Sequence, residues 1–390
     1  MDSLQLLRPH DSVWNDYLTS VSHDFFHTAA YHSLWEGYEG SEAWLAVYGN
    51  DRRFLAWPYL VQEIRGVDRC AADLRDITSP YGYTGPLAQN CVDDDDFLAR
   101  AWYALTELWR SQGGISLFAR FHSIYVSETL ICAKWMRGNT RGVEGGPCLQ
   151  GHTIVIDLTR SGREIWNSYR PNLRRDLRRC QRAGLTSAPD PSWVSLDEFA
   201  RLYYQTMERN RAGAFYFFSV KYFQELQKAL GPHGSLLVTR RGNEVAAVGL
   251  LFEYNGIATL HLLASDERFS FLSPSKLTIH DAVVWAKFRG NRLLVLGGGR
   301  GGNDDDSLFR FKRRFSNCAM LPFYTGRWVL DRDAYDLVAE KWLKQVHPLG
   351  SERLTDEYFP VYRMPLTDAL KYCQGGPARG PIPPRDANKN

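Results

Sequence analysis

Residues 296–315 read LGGGRGGNDDDSLFRFKRRF: five glycines and an arginine, three aspartates, then aromatics alternating with basic residues. Gly297, Gly299 and Gly302 satisfy a G-x-G-x-x-G spacing after an apolar run, the pattern of a dinucleotide-binding turn. That fold would need a small, apolar helix start able to meet a pyrophosphate. Asp304, Asp305 and Asp306 stand there instead and would repel it. A P-loop is also excluded, because Asn303 and Asp304 occupy the places of its lysine and hydroxyl residue. The stretch therefore reads as a tight turn, with glycines supplying positive φ and an aspartate capping the next helix.

Working outward, RLLVLGGG is a strand entering the turn. SPSKLTIHDAVVWAKFRG before it is a helix, with Ser273 as N-cap and Pro274 at the first helical position. GSLLVTRR, EVAAVGLLFEY and GIATLHLLASD are three successive strands, the first two joined at Gly242–Asn243. LDEFARLYYQTMERNR and KYFQELQKALG are helical. Further upstream, HTIVIDLT is a strand, Ser161 caps a helix through REIWNSYR, and Pro171 restarts it as NLRRDLRRCQRAGL, ending at Gly184.

In the first part, EAWLAVYG and RRFLAWPYLVQEI are strands broken at Gly49–Asn50–Asp51. DDDDFLARAWYALTELWRSQG is a helix with acids at its start, and GISLFARFH is another strand. Residues 137–152, RGNTRGVEGGPCLQGH, are glycine-rich and read as a boundary region. AMLPFYTGRWVL supplies late strands and DAYDLVAEKWLKQV a late helix. The expected domains are 1–150, completed by about 325–370, and 151–324, with residues 375–390 a disordered tail.

Composition fits a folded globular chain: 44% hydrophobic and 23% charged residues over 390 positions. The net charge is only +3, so attraction to a polyanion must come from local patches. No apolar run reaches the ~18–20 residues that cross a bilayer, so no membrane span is expected. The N-terminus lacks a signal-peptide pattern, and seven scattered cysteines form no CxxC pair, so a cytoplasmic location is expected. No HExxH or other metal pattern stands out, and metal ligands are expected to be none.

The order helix–helix–strand–strand–strand–helix–strand, with TIVIDL, NLRRDLRRCQRAGL, LYYQTMER followed by Phe215–Tyr216, and LGGG…DDSLFRFKRRF, resembles the FemAB-like branch of the GNAT acyltransferases. SPYGYTGP at 79–86 and FARFH at 118–122 resemble that family's first domain, so the likeness runs over about residues 20–340. It implies a mixed α/β (α+β) fold of two tandem GNAT-like domains, each a twisted, mostly antiparallel sheet flanked by helices. It also implies transfer of an amino acid from aminoacyl-tRNA to an amine, on a cell-wall (peptidoglycan) precursor or a small metabolite. The long coiled-coil insertion of some peptidoglycan members is missing, which leaves the acceptor open.

The resemblance makes Lys312 the candidate catalytic residue: a fixed ammonium stabilises the carbonyl oxygen as attack on an ester makes it negative. On spacing alone, Leu308, Phe311 and Phe315 share a helix face and Lys312 lies beside them. Arg174, Arg175, Arg178 and Arg179 lie in a run whose one acid is Asp176, and with Arg310, Arg313 and Arg314 they are candidates to hold tRNA or other phosphates. Leu173, Leu177 and Cys180 take the buried side of that helix. Tyr81, Tyr83, Arg209, Tyr216 and His261 are acceptor candidates by resemblance.

Acyl-CoA-dependent relatives bind pyrophosphate with a Q/R-x-x-G-x-G/A turn. Here the turn is RFSFLSPSKL, which keeps Arg268 but lacks the glycines and puts Pro274, with no N–H, at the helix start. No cofactor is expected, with aminoacyl-tRNA as co-substrate and partner. An acyl-CoA-dependent N-acyltransferase and a catalytically silent RNA-binding relative are the alternatives. No Ser-His-Asp or Cys-His set stands out, so the attacking amine is expected to lose its proton to water or to the substrate.

Overall fold

The computed structural model describes residues 2–65, 73–125, 130, 133, 136–140, 142–316, 320–346 and 358–373. The tail assigned to 375–390 lies outside the described residues. Fourteen strands are described: β1 (Ser3–Leu7), β2 (Glu42–Asn50), β3 (Arg53–Glu63), β4 (Arg75–Thr78), β5 (Leu87–Gln89), β6 (Gly114–Arg120), β7 (Gly138–Thr140), β8 (Val143–Asp157), β9 (Leu185–Asp190), β10 (Gly234–Arg241), β11 (Glu244–Tyr254), β12 (Ile257–Ser265), β13 (Leu293–Gly297) and β14 (Leu321–Val329). The chain divides into two compact units, Met1–Gly151 with Pro322–Asn390, and His152–Leu321.

In the first unit, strands run β1-β2-β3-β4-β6-β14 and on to β8, with β5 beside β3. Neighbours whose register is defined are antiparallel except β4 and β6, which run parallel from Arg75↔Gly114 to Thr78↔Phe118. The helix Asp95–Ser111 starts where its acids predict, with Asp94 accepting from the Phe97 N–H, and buries Trp102 and Trp109 against Trp57 and Trp328.

The glycine-rich stretch 137–152, read as a boundary, is strand: β7 turns into β8 with Gly138 opposite Gly145. Its glycines serve close packing, since a Cβ on Gly145 would lie 2.1 Å from the Arg327 carbonyl. The expected late strands are one strand, β14.

In the second unit the order is β8-β13-β12-β11-β10-β9. Again one pair is parallel, β12 with β13, and the others are antiparallel. The helix Gly162–Ser168 opens with a reciprocal capping box between Ser161 and Glu164. Pro171 then starts a new helix, Pro171–Arg182, hereafter the arginine helix. Leu173, Leu177 and Cys180 are fully buried on its inner face, and each leucine contributes about 1.5–3 kcal/mol by leaving water.

Candidate active site

The parallel pairing of β12 and β13 runs from Ile257↔Leu293 to Thr259↔Val295 and stops there, while β12 continues to Ser265. Both strands carry a bulge at this point. His261 is the extra residue between Leu260↔Leu251 and Leu262↔Leu250, and Leu296 is skipped between Val295↔Val155 and Gly297↔Ile154. A bulge bends its strand and raises its twist, so two at one level part the strands. Beyond Thr259↔Val295 no further register between the end of β12 and the glycine turn is described.

The glycine turn is built from its own backbone. Gly297, Gly301 and Gly302 have φ of 73°, 59° and 78°. A Cβ on Gly298 would lie 2.9 Å from the His152 carbonyl, and one on Gly299 2.3 Å from the Asn303 carbonyl. Asp306 caps the following helix, Ser307–Lys312, accepting from the N–H groups of Leu308 (2.8 Å) and Arg300 (3.1 Å). Asp304 accepts from the His152 N–H at 3.0 Å and pairs with His152 Nδ1 at 2.5 Å. Two of the three aspartates that argue against a phosphate, Asp304 and Asp306, are thus the turn's fasteners.

This lysine helix is only six residues long and passes into a tighter turn at Arg313–Phe315. Phe309 and Phe315 are buried, Phe311 is half-buried against the same core and meets Phe315 edge-on at 5.9 Å, and Leu308 is half-buried. Lys312 closes the helix and donates from Nζ to the Gly298 carbonyl at 2.8 Å. The residue as a whole is half-buried, but protein surrounds its ammonium. Burial lowers its pKa to about 8, and Asp306, which pulls the other way, only partly offsets this. Among the described residues no carboxylate lies within ion-pair distance of it.

The arginine helix lies against this element. Its N-cap residue, Arg170, donates its N–H to the Arg314 carbonyl at 3.1 Å, and Tyr169 meets Phe315 edge-on at 5.5 Å. Arg174 is half-buried, and Arg175, Arg178 and Arg179 are exposed. Asp176 is paired with Lys276 at 2.6 Å and reaches Arg179 at only 3.7 Å. Arg178 lies over the Trp166 ring at 5.7 Å. The helix's one acid is therefore taken by a lysine from another element, and its outer face is left cationic. Arg310 and Arg313 are exposed and Arg314 half-buried on the lysine helix and its extension.

The helix Pro274–Phe288 begins beside the arginine helix. Ser273 holds the N-cap place in a left-handed conformation (φ 56°) and makes no side-chain cap. Pro274 has no N–H, the Lys276 N–H is spent on the Ser273 carbonyl, and Cys180 Sγ donates to the Leu272 carbonyl at 3.0 Å. Arg268 is held by Asp266 and Glu244.

Of the acceptor candidates, Arg209 reaches the Ser265 carbonyl at the end of β12 (3.3 Å), and the Tyr216 carbonyl accepts from Tyr203 Oη at 2.5 Å. His261 is half-buried, 5.9 Å from the Phe252 ring. Tyr81 and Tyr83 belong to the first unit: the Tyr81 carbonyl accepts from Tyr31 Oη, and the Tyr83 ring packs on Phe26 and Phe323. The histidine of FARFH, His122, is buried with both ring nitrogens engaged, Nε2 donating to Asp24 at 2.8 Å and Nδ1 accepting from the Ile124 and Tyr125 N–H groups. Sequence reasoning missed His152, Arg300 and Asn210; Arg300 donates to Asn210 at 3.0 Å and ties the turn to the loop after the helix Leu196–Arg209.

Residues 167–313 match the family described as acetyltransferase (GNAT) domain. The solved structure of FemX superposes with a TM-score of 0.64 at 12% identity, over 85% of this chain and 99% of that one. The chain has the tandem GNAT fold of the FemAB-like branch. Two further structures share this tandem fold. A tandem GNAT protein from the clavulanic acid biosynthesis pathway matches at 11% identity, TM-score 0.51, over 84% of this chain and 98% of that one. L-PGS from Bacillus licheniformis matches at 12% identity, TM-score 0.50, over 86% and 97%. No curated protein matches the sequence. Residues 167–313 thus carry a GNAT domain, and within it the bulged strands β12 and β13 share only the short parallel register Ile257↔Leu293 to Thr259↔Val295. Among the described residues no helix is long and apolar enough to cross a membrane.

Proposed function

We propose that this protein forms amide bonds by moving an amino acid from aminoacyl-tRNA to an amine on a small metabolite or cell-wall precursor. The observation that carries this reading is the joining of the arginine helix to the lysine helix at Arg170–Arg314, in the unit where the register of β12 with β13 ends at Thr259↔Val295. Guanidinium groups hold the phosphates of the carrier, and Lys312 meets the carbonyl oxygen of the ester.

In the reaction the amine nitrogen attacks the ester carbon and the C–O bond to the ribose breaks. The amine proton passes through water or the substrate to the departing ribose oxygen. One Lys312 N–H is committed to Gly298, which leaves the ammonium two further donors for the oxygen that becomes negative. The residues at the start of Pro274–Phe288 do not suit a pyrophosphate, which favours a tRNA carrier over coenzyme A.

A second reading is N-acylation from acyl-CoA, supported by the description of the matching domain as an acetyltransferase. A coupled assay with and without RNase separates the two. RNase-sensitive product supports the first reading, and a CoA-dependent rise in melting temperature with full turnover on acyl-CoA supports the second.

A further inference from the structure

We propose that Asp304 and His152 are positioning residues that hold the Gly298 carbonyl where it fixes Lys312. The site is assembled from segments far apart in sequence. Asp304 grips His152 twice, at the main-chain N–H (3.0 Å) and at Nδ1 (2.5 Å). A carboxylate only accepts, so Nδ1 carries the proton and its tautomer is set. His152 in turn lies against Gly298, whose missing side chain lets the two backbones approach: a Cβ there would stand 2.9 Å from the His152 carbonyl. The Gly298 carbonyl then accepts from Lys312 Nζ at 2.8 Å.

The chain of contacts is Asp304, His152, Gly298, Lys312. The hydrogen bonds at the two ends are short, the middle link is close backbone approach at Gly298, and among the described residues Lys312 Nζ has no second hydrogen bond. Asp306, two residues from Asp304, is the charged group acting on Lys312; it caps the helix and fastens the turn at Arg300, whereas Asp304 fastens it at His152. Loss of the grip loosens the turn on its His152 side, at Gly298, and admits water to the ammonium, while Asp306–Arg300 and Gly297↔Ile154 keep the rest of the turn in place. Preorganised charge is lost without loss of the charge itself.

This inference rests on the reading of Lys312 as the group that meets the reacting oxygen, but its test does not require a donor. The Cε resonance of Lys312 is titrated in 13C-lysine-labelled protein, assigned by its disappearance in K312R. In D304A the midpoint is expected to rise from about 8 toward the ordinary 10.5. With aminoacyl-tRNA as donor, kcat should fall at least about tenfold while KM for the donor stays within about twofold. D304N should rescue both readouts, because the imidazole can exchange tautomers and keep both bonds. H152A keeps the main-chain bond and should shift the midpoint part of the way. An unchanged midpoint and kcat in D304A overturns the proposal. If D304A does not fold, H152A decides, and an unchanged midpoint there overturns it equally. A shifted midpoint in a protein with no transfer from aminoacyl-tRNA upholds the positioning role and removes the tRNA reading alone.

Discussion

The Arg170 N–H donates to the Arg314 carbonyl at 3.1 Å, so the start of the arginine helix is bonded to the end of the lysine helix. The bond joins a cationic surface, suited to a polyanion, to a desolvated ammonium suited to a developing oxyanion. Proline makes this possible: Pro171 starts the helix without an N–H of its own and leaves Arg170 in extended conformation (ψ 145°), free to reach across.

The exposed face of the arginine helix is expected to bind RNA through phosphates. R175E/R179E should weaken tRNA binding and lower the slope of log K against log salt by roughly 1.4–1.8 for two lost contacts. Fluorescence titrations at several salt concentrations check this. Unchanged affinity and slope would place the RNA surface elsewhere.

Asp176 and Lys276 form a buried pair, both largely shielded from water. Burial alone would raise the Asp176 pKa, and the Lys276 ammonium outweighs it and holds the carboxyl below its usual range. D176A leaves that ammonium without its partner and should cost roughly 3–5 kcal/mol in denaturant unfolding, and D176A/K276M should recover much of it. The sign of the pH effect follows from the depressed carboxyl. Its stabilisation is full above the ordinary carboxylate pKa and is lost as pH falls through the lowered value.

Lys312 acts through its charge, so transfer should decline as pH rises through about 8, where the ammonium loses its proton. K312R keeps the charge and should remove that alkaline decline. K312M should lower kcat by roughly 10²–10³-fold at neutral pH. For stability the sign is reversed. Between about 8 and 10.5 the unfolded chain holds the proton that the native lysine has released, so native stability rises with pH in that window. A pH–rate profile that climbs through 8 in the wild type and is flat in K312M would assign Lys312 to proton removal instead.

Much of the second unit was legible because its cues are local. Ser161 with Glu164, Pro171, Pro274 and the turn glycines each fix a boundary by short-range chemistry. The glycines of β8 hid a strand, because nothing local distinguishes a flexible linker from a strand packed against a neighbour's backbone, as at Gly145 and Arg327; the two units nevertheless divide at Gly151 and His152. β9 was missed for a similar reason: LTSAPD carries a proline, which a sheet edge tolerates. At the site, Lys312 and the arginine run could be named from sequence. The fastening of Lys312 could not, since it depends on His152 and Asp304, joined across a long separation.

The glycine turn tolerates no side chain at its tightest point. G299A would place a methyl 2.3 Å from the Asn303 carbonyl and should displace the turn, lowering melting temperature and transfer together. Thermal unfolding beside a single-turnover assay checks this. G298A meets the His152 carbonyl at 2.9 Å, a lesser clash, and should affect transfer more than stability.

The most direct measurement is a donor test: purified protein, an amine acceptor pool, and either charged tRNA or acyl-CoA as the sole acyl source. The account predicts product from charged tRNA that vanishes with RNase and in K312M. Full turnover from acyl-CoA alone, indifferent to RNase, would contradict it.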